Sequence, residues 1–311
     1  MPRSHRNPAN FAIFLSVVSG LLFTACSRPP DGSRKPGSAK DTAECVDGIG
    51  RRIALPRHPS RIVSLAPSVT EVLYLVGSND RLIGVTTQCD WPEDARQKPK
   101  IGSLLNPNYE LILASRPDLV IASTAGNDKA AVLKLAALGL PVYVTAPRSV
   151  DGIFETTLAI ARITDRAAEG ERLLAEMKTR LLEIRRRIAG LPPVRAFFIT
   201  WFDPLLAPGG KTFENDVLGL TNVISISAQS EEFYPRYSLE QVLAQNPEVI
   251  LTVSHPGKPL PDLRAIPGWK TLEAVKKGRV YLLLDVLQHP SPRFVDAVED
   301  MARRLYPERF R

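Results

Sequence analysis

Short apolar runs alternate with amphipathic segments along most of the chain. Runs such as Arg61–Ala66 and Val142–Thr145 are continuous, short and close to Pro or Gly, which predicts buried strands. Segments between them, such as residues 128–138, place apolar residues at helical spacing. Strands that alternate with helices favour parallel sheets covered on both faces, so the predicted fold class is α/β.

This pattern divides the body into three segments. An N-terminal lobe is predicted over 46–150 and a C-terminal lobe over 191–311. Between them, 151–190 has no strand pattern, which predicts two helices. The second, Ala167–Ile188, would span roughly 30 Å at 1.5 Å per residue and form a spine.

Individual element boundaries follow from the same signals. Further strands are predicted at 82–86, 118–122, 196–201, 222–226, 249–253 and 280–284, and further helices at 151–163, 213–218, 239–245 and 294–305. Ser68 is expected to cap the first helix, and Pro107 to occupy the first turn of a later one. Ser238 and Gln241 form a capping-box pattern.

One segment of the first lobe repeats in the second. Glu110–Ile121 can be laid over Glu240–Leu251 at constant offset, with Glu, Leu, Ala and Pro coinciding and an acid after each Pro. A chance match of two helix–Pro–strand units is the alternative. Because the copies flank the long helix, duplication of a lobe is the better interpretation.

The N-terminus resembles an export signal. Arg3 and Arg6 precede the apolar run Phe11–Phe23, which is too short to span a bilayer, and Phe23 to Ala25 lead into Cys26. We predict a signal peptide of lipoprotein type over 1–26, with Cys26 lipidated. Cleavage near Ala25 and an uncleaved anchor are the alternatives. All three place the body outside the cytoplasm.

A polar segment follows the signal. Residues 27–45 are rich in Pro, Gly, Ser and Lys, which predicts a flexible tether. Cys45 and Cys89 remain after Cys26. In an oxidising compartment they either form a disulfide or stay as separate thiols.

Composition and charge exclude several classes of protein. With 44% hydrophobic and 23% charged residues in 311, the chain is neither disordered nor a polytopic membrane protein. The net charge of +7 includes one Arg185–Arg187 run on a predicted helix, typical of a solvated face, so nucleic acid is not expected as a partner. No catalytic motif or paired-His metal motif occurs, so neither an enzyme nor a metal site is expected.

Candidate binding residues follow the predicted strands. In open α/β sheets, ligands bind beyond the carboxyl ends of the strands. Residues at these ends include Gln88, Trp91, Leu104, Asn106, Trp201, Phe202, Asp285, Val286, Leu287, Gln288 and His289. Aromatic and amide side chains with few charges suit a large, mostly apolar ligand. For Trp91 and Trp201 the alternative is a structural role in capping the core.

Several segments resemble the cobalamin-binding periplasmic proteins of ABC importers, a group within the class that also binds iron–siderophores and haem. The segments are Arg61–Glu71, Cys89–Pro92, Asn108–Ala122 and Ser291–Arg293. The resemblance implies two Rossmann-like lobes joined by one long backbone helix, with the ligand between them. It also implies that Glu110 and Glu240 dock on the permease. Their alternative role is to stabilise helix starts through the helix dipole.

The resemblance implies a corrinoid ligand, and several ligand-contacting positions of the family carry other residues in this chain. Gln88 stands where the family has a ligand-contacting Tyr, and Asp285–His289 falls on the ligand loop of the second lobe. Leu104, Ser123 and Val286 stand where the family has Trp residues. We therefore expect a monomeric binding protein that captures cobalamin or a related corrinoid and delivers it to a permease dimer with its ATPase.

Two alternatives remain. The first keeps the architecture and changes the cargo to ferric siderophore, with Arg236 and Arg293 as candidate contacts, or to haem, with His289 or a Tyr as ligand. The second is an enzyme that uses the cleft between the lobes, for which His289 and Asp285 would be the titratable pair. Because a helix joins the lobes, only a small closure on binding is expected.

Overall fold

The computed structural model describes residues 41–255 and 259–311. The predicted signal peptide, Cys26 and the tether up to residue 40 lie outside the described residues. An antiparallel hairpin of β1 (Thr42–Val46) and β2 (Arg52–Pro56) begins inside the segment assigned to the tether, so the prediction was wrong for residues 42–45, which belong to a strand.

The first lobe contains a four-stranded parallel sheet. Its strands are β3 (Ile62–Ser64), β4 (Leu82–Val85), β5 (Leu119–Ser123) and β6 (Val142–Thr145), in the order β4-β3-β5-β6. Its helices are α1 (Pro67–Leu75), α2 (Glu93–Gln97), α3 (Tyr109–Ala114) and α4 (Lys129–Ala137). Apolar side chains cover both faces of this sheet, as expected for parallel strands.

Two helix starts differ from the predictions. Ala66, not Ser68, occupies the N-cap position of α1 and makes no side-chain capping bond, while Pro67 occupies the first turn, where its missing N–H costs nothing. Helix α3 begins after Pro107. There the Asn108 side chain accepts a hydrogen bond from the Leu111 N–H at 3.0 Å and so satisfies one of the unpaired donors of the first turn.

Two helices connect the lobes, α5 (Val150–Ile163) and α6 (Ala167–Arg187). The 21 residues of α6 give it a length of roughly 30 Å. Ile160 packs in the first-lobe core and Ile184 in the second-lobe core, while Leu173 contacts both. None of the described helices combines the length and the apolar character needed to span a bilayer.

The second lobe repeats the topology of the first. Its strands are β7 (Val194–Ile199), β8 (Val223–Ser225), β9 (Val249–Val253) and β10 (Val280–Leu283), all parallel in the order β8-β7-β9-β10. Its helices are α7 (Phe213–Leu220), α8 (Leu239–Gln245), α9 (Glu273–Lys276) and α10 (Phe294–Leu305). When β3 to β6 are matched in turn to β7 to β10, the strand orders coincide. The predicted fold class is confirmed.

The internal repeat extends to backbone conformation. Arg116 and Asn246, each directly before the repeated Pro, both adopt positive φ angles of 48° and 39°. The acid after each Pro serves the same role, because Asp118 accepts from the Arg61 N–H at 2.9 Å and Glu248 accepts from the Arg195 N–H at 3.0 Å. The two copies are therefore equivalent in structure as well as in sequence.

The hairpin packs against the edge of the first sheet at Gly48. The Gly48 N–H donates to the Val144 carbonyl at 2.7 Å, and a Cβ on Gly48 would lie 2.7 Å from the Ala146 nitrogen. We expect Gly48→Ala to lower the free energy of unfolding by about 1–3 kcal/mol, because backbone atoms must move apart. Thermal unfolding measures this.

A matched control is Gly219→Ala. Gly219 lies inside α7, and a Cβ added there would meet no atom within 4 Å, so this change should raise stability by about 0.5–1 kcal/mol. Equal stability of the Gly48→Ala variant and the parent protein would contradict the tight hairpin contact.

Candidate functional site

A cavity of about 490 Å³ opens between the two lobes. The first lobe contributes loops that follow β5 and β6, together with Leu104, and the second contributes the start of α7 and the loop after β8. Its lining residues are Leu104, Thr124, Ala125, Gly126, Pro147, Arg148, Lys211, Thr212, Phe213, Glu214, Phe233, Tyr234 and Pro290. We call this cavity the interlobe cleft. Several of its walls lie beyond the carboxyl ends of parallel strands, where α/β sheets bind ligands.

The first-lobe wall is fastened by two amide side chains. The Asn127 amide donates to the carbonyls of Leu65 and Leu104 at 2.9 and 2.8 Å and accepts from the Ser123 N–H. The Gln88 side-chain oxygen accepts from the Leu104 N–H at 2.8 Å. These bonds hold Leu104 in the cleft. Gln88 therefore positions Leu104 by accepting a hydrogen bond from its backbone N–H. The predicted ligand contact of Gln88 stays a prediction.

The second-lobe wall presents two aromatic side chains that the sequence analysis did not single out. Phe233 and Tyr234 are about half exposed in the cleft. They follow β8, which matches β4 in the repeat, and the loop after β4 contains the predicted residues Gln88 and Trp91. The internal repeat was therefore the signal that could have located them.

A buried carboxyl lies behind Tyr234. The Tyr234 hydroxyl donates to Glu214 Oε1 at 2.8 Å, and Glu214 is 4% exposed. Burial raises the pKa of Glu214, and hydrogen bonds from its own backbone N–H and from Tyr234 only partly oppose this shift. Burial and the neighbouring Glu214 carboxyl also raise the pKa of Tyr234. Both groups are therefore stabilised in their neutral forms.

A second cavity of about 270 Å³ lies within the second lobe. Trp201 and Phe202, both predicted ligand contacts, line it together with His255. The Trp201 indole donates to the Asp203 carbonyl at 2.8 Å, its ring lies 4.9 Å from that of His255, and the Phe202 ring packs 5.7 Å from Trp269. These contacts fit the structural alternative for Trp201 and leave its ligand contact a prediction.

Four residues from opposite lobes form what we call the interlobe cluster: Glu71, His289, Ser291 and Arg293. Glu71, 3% exposed on α1, accepts from the Ser291 hydroxyl and pairs with His289 Nε2 at 2.9 Å and Arg293 Nη1 at 3.1 Å. Burial would raise the pKa of Glu71, but hydrogen bonds from His289 and Ser291 and the charge of Arg293 outweigh it and lower that pKa.

Two predicted site residues, Trp91 and His289, lie at or within the interlobe cluster. The Arg293 guanidinium lies 4.3 Å over the Trp91 ring, so Trp91 packs against the cluster. His289 pairs with Glu71 rather than with Asp285, so the titratable pair suggested for an enzyme is not formed. Glu71 was not predicted as a site residue, because its partners are more than 200 residues away in the chain.

The predicted second-lobe ligand loop requires a correction. Val286 and Leu287 are fully buried in the core of the second lobe, so they have no surface left to contact a ligand. Asp285 is exposed at the start of this loop. The side chain of Gln288 lies outside the described residues, and Asn106 is exposed beside the cleft residue Leu104.

The open question of the cysteines is answered by their environments. Cys45 and Cys89 are separate thiols, and Cys89 is buried with hydrogen bonds to the Thr70 and Thr86 hydroxyls at 3.1 Å. Burial raises the pKa of the Cys89 thiol. Within the described ranges, no group of three or more His, Cys, Asp or Glu side chains could hold a metal ion.

The two predicted docking glutamates occupy equivalent positions. Glu110 is the second residue of α3 and Glu240 the second of α8, and both are exposed. Each helix is capped by the residue two positions earlier, Asn108 or Ser238, and the predicted capping box of Ser238 and Gln241 is present. Hydrogen bonds from the helix start and from Ser238 lower the pKa of Glu240, so this acid is ionised at neutral pH.

Comparison with known proteins decides the family. Residues 62–287 match the sequence model of a protein family described as "Periplasmic binding protein". The chain belongs to this family. It is a solute-binding protein of the kind that serves ABC importers, and its fold and relatives are those of binding proteins, not of enzymes.

Individual relatives agree with this assignment. The vitamin B12-binding protein of Vibrio cholerae is 32% identical over 81% of this chain and 91% of that protein. A substrate-binding lipoprotein of a Bacillus subtilis ABC transporter, YvrC, is 27% identical over 95% of this chain and 96% of its own length.

Solved structures with a similar fold include a vitamin B12-binding protein and a haem-binding protein. The crystal structure of the periplasmic vitamin B12-binding protein BtuF of Vibrio cholerae matches with a TM-score of 0.69 at 30% identity, over 81% of this chain and 99% of that one. The periplasmic haem-binding protein RhuT of Roseiflexus matches with a TM-score of 0.71 at 25% identity, over 80% and 99%.

Proposed function

We propose that this protein captures a corrinoid, such as cobalamin, in the interlobe cleft and delivers it to an ABC permease. The observation that carries the proposal is the cleft itself: an open space between two lobes whose walls are mainly apolar and aromatic side chains with a few polar groups, including the cations Arg148 and Lys211. A corrinoid is a bulky ring with carboxamide side groups, which needs apolar walls and neutral hydrogen-bonding partners. The vitamin B12-binding relatives support the same cargo.

The charges around the cleft favour an uncharged cargo. Lys211 lines the cleft but forms an ion pair with Glu231, and Arg148 lies 5.9 Å over the Phe233 ring. The two cations suggested for anionic siderophores are not available there, because Arg293 pairs with Glu71 and Arg236 is not among the cleft-lining residues.

Haem is disfavoured by the state of its candidate ligands. His289 already pairs with Glu71 across the lobes. Tyr234 would have to lose its proton to bind ferric iron, and its raised pKa opposes that loss. The Tyr234 hydroxyl also donates a hydrogen bond to Glu214 Oε1, which a coordinated phenolate could not do.

We also propose how the protein docks on the permease and is held at the membrane. Glu110 and Glu240 would present one carboxylate from each lobe to a permease with two-fold symmetry, where basic residues are their natural complement. A lipid on Cys26 would hold a monomeric body at the membrane, which agrees with the lipoprotein named among the relatives. The helical connection through α6 suits small closure on binding.

Calorimetry of the purified protein with cyanocobalamin, haemin and ferric siderophores tests the cargo. We expect saturable one-to-one binding of cyanocobalamin alone. Leu104→Glu should weaken it about tenfold or more, because a charge then replaces an apolar wall. Leu182→Glu, at an exposed position on α6, is the matched control and should leave affinity unchanged. Tight binding of haemin or a siderophore without cyanocobalamin binding rejects the proposal.

A further inference from the structure

The carboxyl of Glu214 is incompletely satisfied. Oε1 accepts from the Tyr234 hydroxyl at 2.8 Å, but Oε2 is buried and has no hydrogen-bond partner among the described residues. The neighbouring Thr212 hydroxyl donates to the Gly209 carbonyl at 2.9 Å and accepts from the Asn215 N–H at 3.3 Å. Buried polar atoms without partners are uncommon and costly, and this one belongs to a residue that lines the interlobe cleft.

No cation compensates this carboxyl. Among the described residues Glu214 forms no ion pair, although Arg148 and Lys211 line the same cleft. A buried carboxylate without a cation is far less stable than the neutral acid. Since Oε1 accepts from Tyr234, the acid proton belongs on Oε2, where it is a donor without an acceptor.

We propose that Glu214, with Tyr234, is a specificity-determining pair of the cleft that recognises a carboxamide group of the solute. The neutral carboxyl of Glu214 donates to the carboxamide oxygen, and the Tyr234 hydroxyl oxygen accepts from the carboxamide N–H. Tyr234 is half exposed and Glu214 lines the same cleft, so both side chains border the space that the solute would occupy. This inference rests on the proposed corrinoid cargo, whose ring carries such carboxamides, and it names the groups that would read them.

The pairing implies a pH dependence of binding. Because the neutral acid is the binding form, affinity falls as the pH rises through the raised pKa of Glu214. The other titratable and charged groups around it are Tyr234, Arg148, Lys211 and, on α7 itself, Asp216, which accepts from the Val150 N–H and faces Asp151. Burial also raises the pKa of Asp216, so this residue needs its own control.

The test compares cyanocobalamin affinity by calorimetry across neutral and alkaline pH. Glu214→Gln keeps a neutral donor and acceptor, so it should bind within about threefold of the parent at neutral pH and lose the pH dependence. Glu214→Met keeps the length without hydrogen bonds and should bind about tenfold more weakly. Asp216→Asn should retain both the affinity and the pH dependence of the parent.

Infrared spectroscopy of the ligand-free protein gives a second readout. The carbonyl band of a protonated carboxyl should be present at neutral pH, absent in Glu214→Gln, and shifted when cyanocobalamin is added. Absence of that band, equal affinity of Glu214→Met and the parent, or an unchanged pH dependence in Glu214→Gln overturns the inference. A parent protein that shows the band but binds no cyanocobalamin rejects the proposed cargo instead, so the two failures are distinguishable.

Discussion

Replacement of both Glu110 and Glu240 by alanine is expected to reduce uptake of the solute about tenfold or more while its affinity for the binding protein stays unchanged. Each acid is exposed at the second position of its helix, away from the residues that line the cleft. Loss of two charge-assisted contacts to a permease is large enough to account for this reduction. Uptake by cells that express the double variant, with calorimetry of the same protein, measures both parts.

Two exposed glutamates elsewhere on the protein serve as controls for this experiment. Glu155 and Glu176 are exposed glutamates on α5 and α6, and their double replacement by alanine should leave uptake unchanged. Single replacement of Glu110 or Glu240 should give an intermediate loss, because the repeat makes the two positions equivalent. Normal uptake by the double variant would show that these acids only stabilise their helix starts.

Glu71→Ala is expected to lower the free energy of unfolding by about 3 kcal/mol. The change removes the nearer carboxylate of the Arg293 guanidinium, which is 19% exposed, and leaves it only Asp296 at 4.0 Å; breaking a buried pair by removing one member is strongly destabilising. It also removes the acceptor of the Ser291 hydroxyl. Chemical denaturation measures the loss, and Glu155→Ala at an exposed site should change stability by less than about 0.5 kcal/mol. Equal losses for the two variants would show that the interlobe cluster does not stabilise the fold.

The same cluster predicts an acid-sensitive contribution to stability. The pKa of Glu71 is lowered in the folded state, so its contribution is complete above the ordinary value of 4.5 and is lost as the pH falls below it toward the folded pKa. The stability difference between the parent and Glu71→Gln should therefore shrink below about pH 4.5. A constant difference across this range would show that Glu71 is not ionised in the fold.

Strong local patterns were sufficient to predict most of the sheet and helix framework. Strand β6 and helices α8 and α10 have the predicted bounds, because each combines an apolar pattern with clear flanking signals. The hairpin of β1 and β2 was missed because β1 alternates exposed and half-buried residues, so it has no fully buried face to mark it. The hairpin also contacts β6, which is distant in the chain, through the hydrogen bond from Gly48 to Val144.

The candidate site was harder to predict than the fold. Leu104 was predicted and lines the cleft, but Phe233, Tyr234 and Glu214 were not, since they lie in a loop and at a helix start without a recognisable motif. Val286 and Leu287 were expected at the ligand but complete the second-lobe core. Local sequence does not show which side of a short segment faces a cavity, because neighbours from distant parts of the chain decide it.

The most direct measurement is a crystal structure of the protein grown with cyanocobalamin. We expect the corrin ring in the interlobe cleft, between Leu104 of the first lobe and Phe233 of the second, with a carboxamide at Tyr234 and Glu214. A corrinoid seated only in the second-lobe cavity beside Trp201 and His255, or an interlobe cleft that stays empty at saturating cyanocobalamin, would contradict the proposed capture of a corrinoid between the lobes.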